Sequence, residues 1–142
     1  MPMIEKLLPH RSPMVMIDSV EGTGADSARA LRVFGPDDYG VHDGLVLEEV
    51  LVESLAQTVA AFMGLASVAA GRAPAAGMLV GVNDMRFHDE VPAGVQVVFE
   101  AVITRRLPPF FLADGKVTVA DRVVAEGSMK FHITESDVEK MA

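Results

Sequence analysis

The chain has 142 residues, half of them hydrophobic, and carries a formal net charge of −8 at pH 7. This length is typical of one compact domain, so residues 1–142 are treated as one, and the acidic surface disfavours nucleic-acid binding because it repels phosphate backbones. The absence of cysteine excludes disulfides, thiolate zinc sites and cysteine nucleophiles, and it fits the reducing cytoplasm, where we expect this protein.

The first third of the chain predicts a β-hairpin followed by a polar loop. Ile4–Leu8 is a short amphipathic turn that ends at the next proline. Met14–Val20 is an apolar run and Ala28–Phe34 alternates in polarity, so both are predicted strands. The Gly22–Gly24 turn joins them into a hairpin. The polar residues of Gly35–Gly44 then form a loop.

One long helix is predicted over Leu47–Ala70. Glu48 and Glu49 lie in its first turn, where they suit the positive end of the helix dipole. Ser54–Gly71 has no charged residue, so a membrane span is an alternative interpretation. Several polar residues in this stretch, and the lack of a basic anchor at its start, favour a helix buried in protein on nearly all sides.

The rest of the chain predicts strands with short connections and a polar, frayed tail from Thr134 onward. The strand segments are Met78–Phe87, Val95–Leu107, Phe110–Ala113, Lys116–Ala120 and Val123–Ile133, with a turn at Asp114-Gly115. An antiparallel sheet is the structure left to wrap a helix that is apolar all round. The sequence therefore predicts an α+β domain.

Three blocks of the sequence resemble the hotdog-fold 3-hydroxyacyl-carrier-protein dehydratases of fatty acid synthesis. The blocks are Leu8–Arg11 with Pro13–Asp18, then Glu53–Gln57, then Leu79–Val82 with Met85–Phe87 and Val91–Gly94. They span most of the chain in the family's order. The resemblance implies a hotdog fold, in which a five- to six-stranded antiparallel sheet wraps one long central helix.

The resemblance also implies an active site that pairs a histidine from one subunit with an acid from the other. Glu53 stands at the acid's position, and His42 lies in the loop before the helix. That loop lacks the family's prolines and is shorter. A divergent branch of dehydratase-like proteins, found beside aryl-polyene and polyketide-type pathways, shares this departure, and this chain is most similar to that branch.

Glu53 is the strongest candidate for chemistry. A carboxylate in an apolar helix is costly to bury unless it is paired, and such carboxyls serve in general acid–base catalysis. The alternative is an exposed or structural glutamate. Gln57, one turn further on, either orients Glu53 or a water, or is a satisfied core amide. His42 is either a catalytic partner or a solvated neighbour of Asp43, and His10 is expected to be structural.

Substrate contacts are expected at both ends of the acyl thioester. The first-turn N–H groups of Glu49 and Val50 are candidate donors to the thioester carbonyl. We also expect Phe87 at the substrate site. Phe110 and Phe111 either line an acyl tunnel or pack in the core. The four histidines lack the spacing of metal ligands, so no metal is expected, and neither is a cofactor beyond a phosphopantetheine-linked substrate.

Three functions remain open on the sequence. The first is dehydration of a 3-hydroxyacyl thioester, the second is thioester hydrolysis with Glu53 activating water, and the third is a non-catalytic subunit that pairs with an active homologue. Carrier proteins are acidic, so the chain's own negative charge leaves carrier protein and coenzyme A both open as the acyl carrier. The exposed edge of a lone hotdog sheet predicts a homodimer or a hotdog heterodimer.

Overall fold

The computed structural model describes residues 4–72 and 77–133. Their helices and strands, in chain order, are α1 (Ile4–Leu7), β1 (Ser19–Gly22), β2 (Ser27–Val33), β3 (Val41–His42), β4 (Leu45–Val46), α2 (Glu48–Ala69), β5 (Gly77–Phe87), β6 (Gln96–Leu107), β7 (Phe110–Val119) and β8 (Arg122–Ile133). The tail that we predicted to be frayed, from Thr134, lies outside the described residues.

Six strands form one antiparallel sheet in the order β1-β2-β6-β7-β8-β5, and β3 pairs with β4 in a separate short hairpin. The sheet wraps α2, which confirms the predicted hotdog fold. Strands β1 and β5 are its edges. The β5 edge exposes apolar side chains at Met78, Val80 and Val82, an unusual composition for an edge that faces water alone.

Helix α2 is the centre of the core. By length and composition it could cross a membrane, but 61% of its most apolar 18-residue stretch is buried inside the protein. Leu55, Val59 and Ala61 are almost completely buried. A Cβ atom at Gly64 would collide with the carbonyl oxygen of Leu7. Glycine at this position therefore lets α1 pack directly on α2.

The two faces of the sheet differ in polarity. The face towards α2 is apolar, whereas a single row across the other face alternates in charge through all six strands. In spatial order the row is Glu21, Arg29, Glu100, Lys116, Glu126 and Arg86. Opposite charges on neighbouring strands favour this register. Because these charged side chains occupy the outer face, the buried apolar side chains of the sheet are on the inner face, towards α2.

Two predicted local structures are wrong. Asp114-Gly115 is not a turn, because β7 runs straight through it. Gly115 lies under the helix, where an added Cβ would be 2.9 Å from the Leu55 side chain. The other error is the strand predicted over Met14–Val20, since β1 begins only at Ser19.

The segment before β1 has no regular secondary structure and pairs with side chains of α2 instead of with another strand. The Met16 N–H donates to Gln57 Oε1 at 2.7 Å, and the Met16 carbonyl accepts from Ser54 Oγ at 3.0 Å. The Met14 carbonyl accepts from Gln57 Nε2 at 2.6 Å. Buried backbone groups need partners, and here the helix supplies them.

Candidate active site

An apolar cavity of about 380 Å³ lies between α2 and the sheet. Its walls come from α2, from the start of β5 and from the neighbouring parts of β7 and β8. The lining residues are His10, Glu53, Ala56, Gln57, Ala60, Met63, Gly77, Met78, Leu79, Phe111, Phe131 and Ile133. Small side chains on α2 leave this space open. The three polar side chains of the lining lie close together.

Those three side chains are His10, Glu53 and Gln57. The Glu53 side chain is 33% exposed, so it is less buried than the apolar helix pattern predicts. Its Oε1 atom accepts a hydrogen bond from Gln57 Nε2 at 3.1 Å and lies 3.3 Å from His10 Nε2. No hydrogen bond among residues 4–72 and 77–133 involves Glu53 Oε2. One carboxylate oxygen is therefore held by two neighbours, and the other has no partner among these residues.

Gln57 is completely buried, and its orientation is determined by its neighbours. Its Oε1 accepts from the Met16 N–H, and its Nε2 donates to the Met14 carbonyl. If the amide oxygen and nitrogen were exchanged, the amide NH₂ group would face the Met16 N–H and the amide oxygen would face the Met14 carbonyl oxygen. The second N–H of the amide is thereby directed at Glu53, so both interpretations offered for Gln57, core amide and orienting group, describe its contacts.

His10 is the residue whose position the sequence did not indicate. Leu7 and Leu8 are each 1% exposed and anchor the segment before it in the core. The Arg11 guanidinium binds the carbonyl oxygens of Leu8 and His10, at 3.0 and 2.7 Å. This packing holds the His10 ring beside Glu53, although the two residues are far apart in the chain.

His42 lies elsewhere. It sits in the β3–β4 hairpin with a 78% exposed side chain, and its Nε2 is 3.4 Å from Asp43 Oδ2. It lines a second depression of about 660 Å³, the His42 cleft, together with Glu49 and Phe87. Within one chain, the structure does not bring His42 into the Glu53 cavity.

The other residues predicted to contact the substrate do not lie together in one site. The N–H of Val50 donates to the Leu47 carbonyl at 3.0 Å, so it is not free for a thioester carbonyl. The N–H of Glu49 takes part in no hydrogen bond within the described part of the chain. Phe110 is on the outer face of the sheet, edge-on to His132. Its neighbour Phe111 lines the cavity instead.

A long helix that presents a carboxylate to an apolar cavity, wrapped by one antiparallel sheet, defines a hotdog-fold protein of the dehydratase and thioesterase type. The chain belongs to the ApeP-like dehydratase family, described as ApeP dehydratase, whose profile matches residues 2–141. This membership confirms the family predicted from the sequence and the assignment to the dehydratases.

Individual relatives agree with that assignment. The chain is 30% identical over 142 residues to the 3-hydroxyacyl-[acyl-carrier-protein] dehydratase FabZ of Listeria monocytogenes, with 93% of this chain and 94% of that protein covered. Among solved structures, the dehydratase heterocomplex ApeI:P of Xenorhabdus doucetiae matches with a TM-score of 0.86 at 17% identity, over 99% of this chain and 97% of that one.

A thioesterase has the same fold. The structure of a hypothetical thioesterase from Streptococcus pneumoniae with coenzyme A matches with a TM-score of 0.63 at 11% identity, covering 82% of this chain and 84% of that one. At such identities, ApeI:P and this thioesterase show the shared fold alone.

Proposed function

We propose that this chain dehydrates a 3-hydroxyacyl thioester to the 2-enoyl thioester and water, with Glu53 as the catalytic acid–base residue. The observation that carries the proposal is the Glu53 carboxylate, held through one oxygen at the wall of an apolar cavity. Family membership and the activity named for the FabZ relative support the reaction type.

The chemistry needs one group that first accepts and then returns a proton. Glu53 Oε2 takes the proton from the α-carbon of the substrate, and the bond between the β-carbon and its hydroxyl oxygen breaks. The same proton passes to the departing oxygen, so water leaves and the carboxylate is restored. The α-proton and the hydroxyl are on adjacent carbons, which puts both within reach of one carboxyl group.

The cavity suits an acyl chain. Its volume is within the range of about 300–1,000 Å³ common for small-molecule sites. Met63, Phe111 and Phe131 give it an apolar wall. We propose a substrate carried on phosphopantetheine, on a carrier protein or coenzyme A, with no further cofactor, and a cytoplasmic location.

A second hotdog subunit completes the proposal. The apolar, unpaired β5 edge favours pairing with another strand. ApeI:P is a heterocomplex by its description, and we propose a homodimer or a comparable heterodimer for this chain. Such pairing is the route by which the His42 cleft of one subunit can approach the Glu53 cavity of another.

The experiment follows enoyl product and free thiol from 3-hydroxyacyl thioesters, using the protein isolated in the assembly it forms in its own cells. We expect enoyl product, and a loss of at least about 100-fold in kcat in Glu53→Gln. The matched control is Glu21→Gln, the same change at an exposed position on β1, the edge strand at the other end of the sheet from β5. It should retain the wild-type rate.

Three outcomes would overturn the proposal. Free thiol formed without enoyl product would indicate a thioesterase. Neither product, together with a stable complex with another hotdog protein, would indicate a non-catalytic subunit. An unchanged rate in Glu53→Gln would remove Glu53 from the chemistry of either enzyme.

A further inference from the structure

His10 is a titratable side chain at the cavity to which the elimination steps assign no task. Its Nε2 is 3.3 Å from Glu53 Oε1, and its side chain is 31% exposed. Its other ring nitrogen, Nδ1, is buried and has no hydrogen-bond partner within residues 4–72 and 77–133. The two nitrogens of one ring therefore have very different surroundings.

These surroundings decide where the ring carries its proton. A carboxylate only accepts hydrogen bonds, so Nε2 facing Glu53 must be the donor. A doubly protonated ring would also place an N–H at Nδ1, where burial without an acceptor is costly. We assign the ring proton to Nε2, which places this N–H towards Glu53 Oε1 at an N···O distance of 3.3 Å.

Both donors meet the same oxygen of Glu53. Gln57 Nε2 lies 3.1 Å from Oε1, and His10 Nε2 lies 3.3 Å from it. One hydrogen bond leaves a carboxylate free to rotate about its last bond, whereas two donors from different directions restrict that rotation. The result is a defined direction for the second oxygen, Oε2.

We propose that His10 is a positioning residue for the dehydration: with Gln57 it holds Glu53 Oε1, so that Oε2 meets the α-proton of the substrate. The inference rests on the proposed function. It gives the chain a histidine–glutamate pair within one subunit, whereas His42 is exposed and lies in a different depression of the same chain.

The surroundings of His10 are suited to this task. Gly64 on α2 allows the Leu7 backbone to pack directly against the helix that carries Glu53. The Arg11 guanidinium also donates hydrogen bonds to the carbonyl oxygens of Glu5 and Leu8, which stabilises the end of α1. A ring mounted on this packed segment loses little freedom when it meets Glu53, which is what a positioning hydrogen bond requires.

The test compares two substitutions that separate the N–H donor from the bulk of the ring. His10→Leu keeps an apolar side chain of moderate size but has no donor, whereas His10→Gln returns an N–H at similar reach. We expect kcat to fall by about tenfold or more in His10→Leu with KM changed by less than about twofold, and most of kcat to return in His10→Gln.

The control is a contact between a basic side chain and a glutamate on the outer face of the sheet, which points away from α2. Arg29 Nη1 lies 3.7 Å from Glu21 Oε1, and both side chains are about half exposed. Arg29→Leu removes this contact and should leave kcat unchanged. Equal losses of kcat in His10→Leu and His10→Gln, or no loss in His10→Leu, would overturn the inference.

A second measurement does not depend on turnover. The ¹⁵N NMR signals of the His10 ring should show a proton on Nε2, and they should change in Glu53→Gln. A proton on Nδ1 would overturn the inference while the proposed function stands. If Glu53→Gln instead keeps full activity, the proposed function fails whatever the state of the His10 ring.

Discussion

The Glu53 cavity and the His42 cleft contain similar residue types, but their polar side chains differ in exposure and in how far contacts within the chain hold them. In the cavity, Gln57 is fully buried and each of its amide atoms has a partner at 3.1 Å or less. In the cleft, His42 is 78% exposed and lies 3.4 Å from Asp43, whose side chain is 88% exposed. The acid end of the site is thus organised within one chain, whereas the His42 side chain is left exposed by it.

The largest loss of stability is expected for Gln57→Leu, which removes the organising amide of the cavity. The buried Met16 N–H and the part-buried Met14 carbonyl would lose their partners, so we expect the free energy of unfolding to fall by about 3 kcal/mol. Urea denaturation of both proteins measures this change. The activity should fall as well, because Glu53 loses a donor.

Gln96→Leu is the matched control for Gln57→Leu. It makes the same substitution at the exposed first residue of β6 and should change the free energy of unfolding by less than about 0.5 kcal/mol. A similar stability for the Gln57 and Gln96 variants would show that the cavity amide contributes no more than a surface one.

Gly40→Ala examines the backbone beneath the His42 cleft and should have the second-largest effect. Gly40 has a φ of 85°, and an added Cβ would collide with the Val50 side chain in the first turn of α2. We expect a loss of about 2 kcal/mol in the free energy of unfolding, from backbone strain and overpacking together. Thermal or urea unfolding measures it.

The control for Gly40→Ala is Gly44→Ala. Gly44 has a φ of 74°, but apart from its chain neighbours no atom of the described residues lies within 4 Å of an added Cβ. Only the strain of the left-handed backbone remains there, about 1 kcal/mol. Equal losses in the free energy of unfolding for the two variants would mean that the Val50 side chain moves at little energetic cost. The backbone of the cleft would then be no better packed than its side chains.

The central helix and most strands could be predicted because their patterns and their ends are both marked in the sequence. The predicted helix Leu47–Ala70 differs from the observed Glu48–Ala69 by one residue at each end. The turn before β2 and the prolines between β6 and β7 delimit the strands in the same way. Local signals sufficed because no tertiary contact opposes them at these positions.

The errors occur where a tertiary contact overrides a local pattern. An Asp-Gly pair favours a turn, but Gly115 remains in β7 because Leu55 packs over it. An apolar segment has the same sequence pattern whether it pairs with a strand or, like Met14–Met16, with the side chain of Gln57. The contact between His10 and Glu53 has no signal in sequence spacing, because it depends on how α1 packs on α2.

His42→Gln should have the smallest effect. The side chain is exposed, and its contact with Asp43 lies at the surface, so we expect the free energy of unfolding to change by less than about 0.5 kcal/mol. We expect kcat to fall by less than about tenfold, compared with at least about 100-fold for Glu53→Gln. A loss of 100-fold or more in His42→Gln, with stability unchanged, would mean that assembly brings the cleft to the cavity of another subunit. The histidine would then be a catalytic partner of Glu53, as the family resemblance implies.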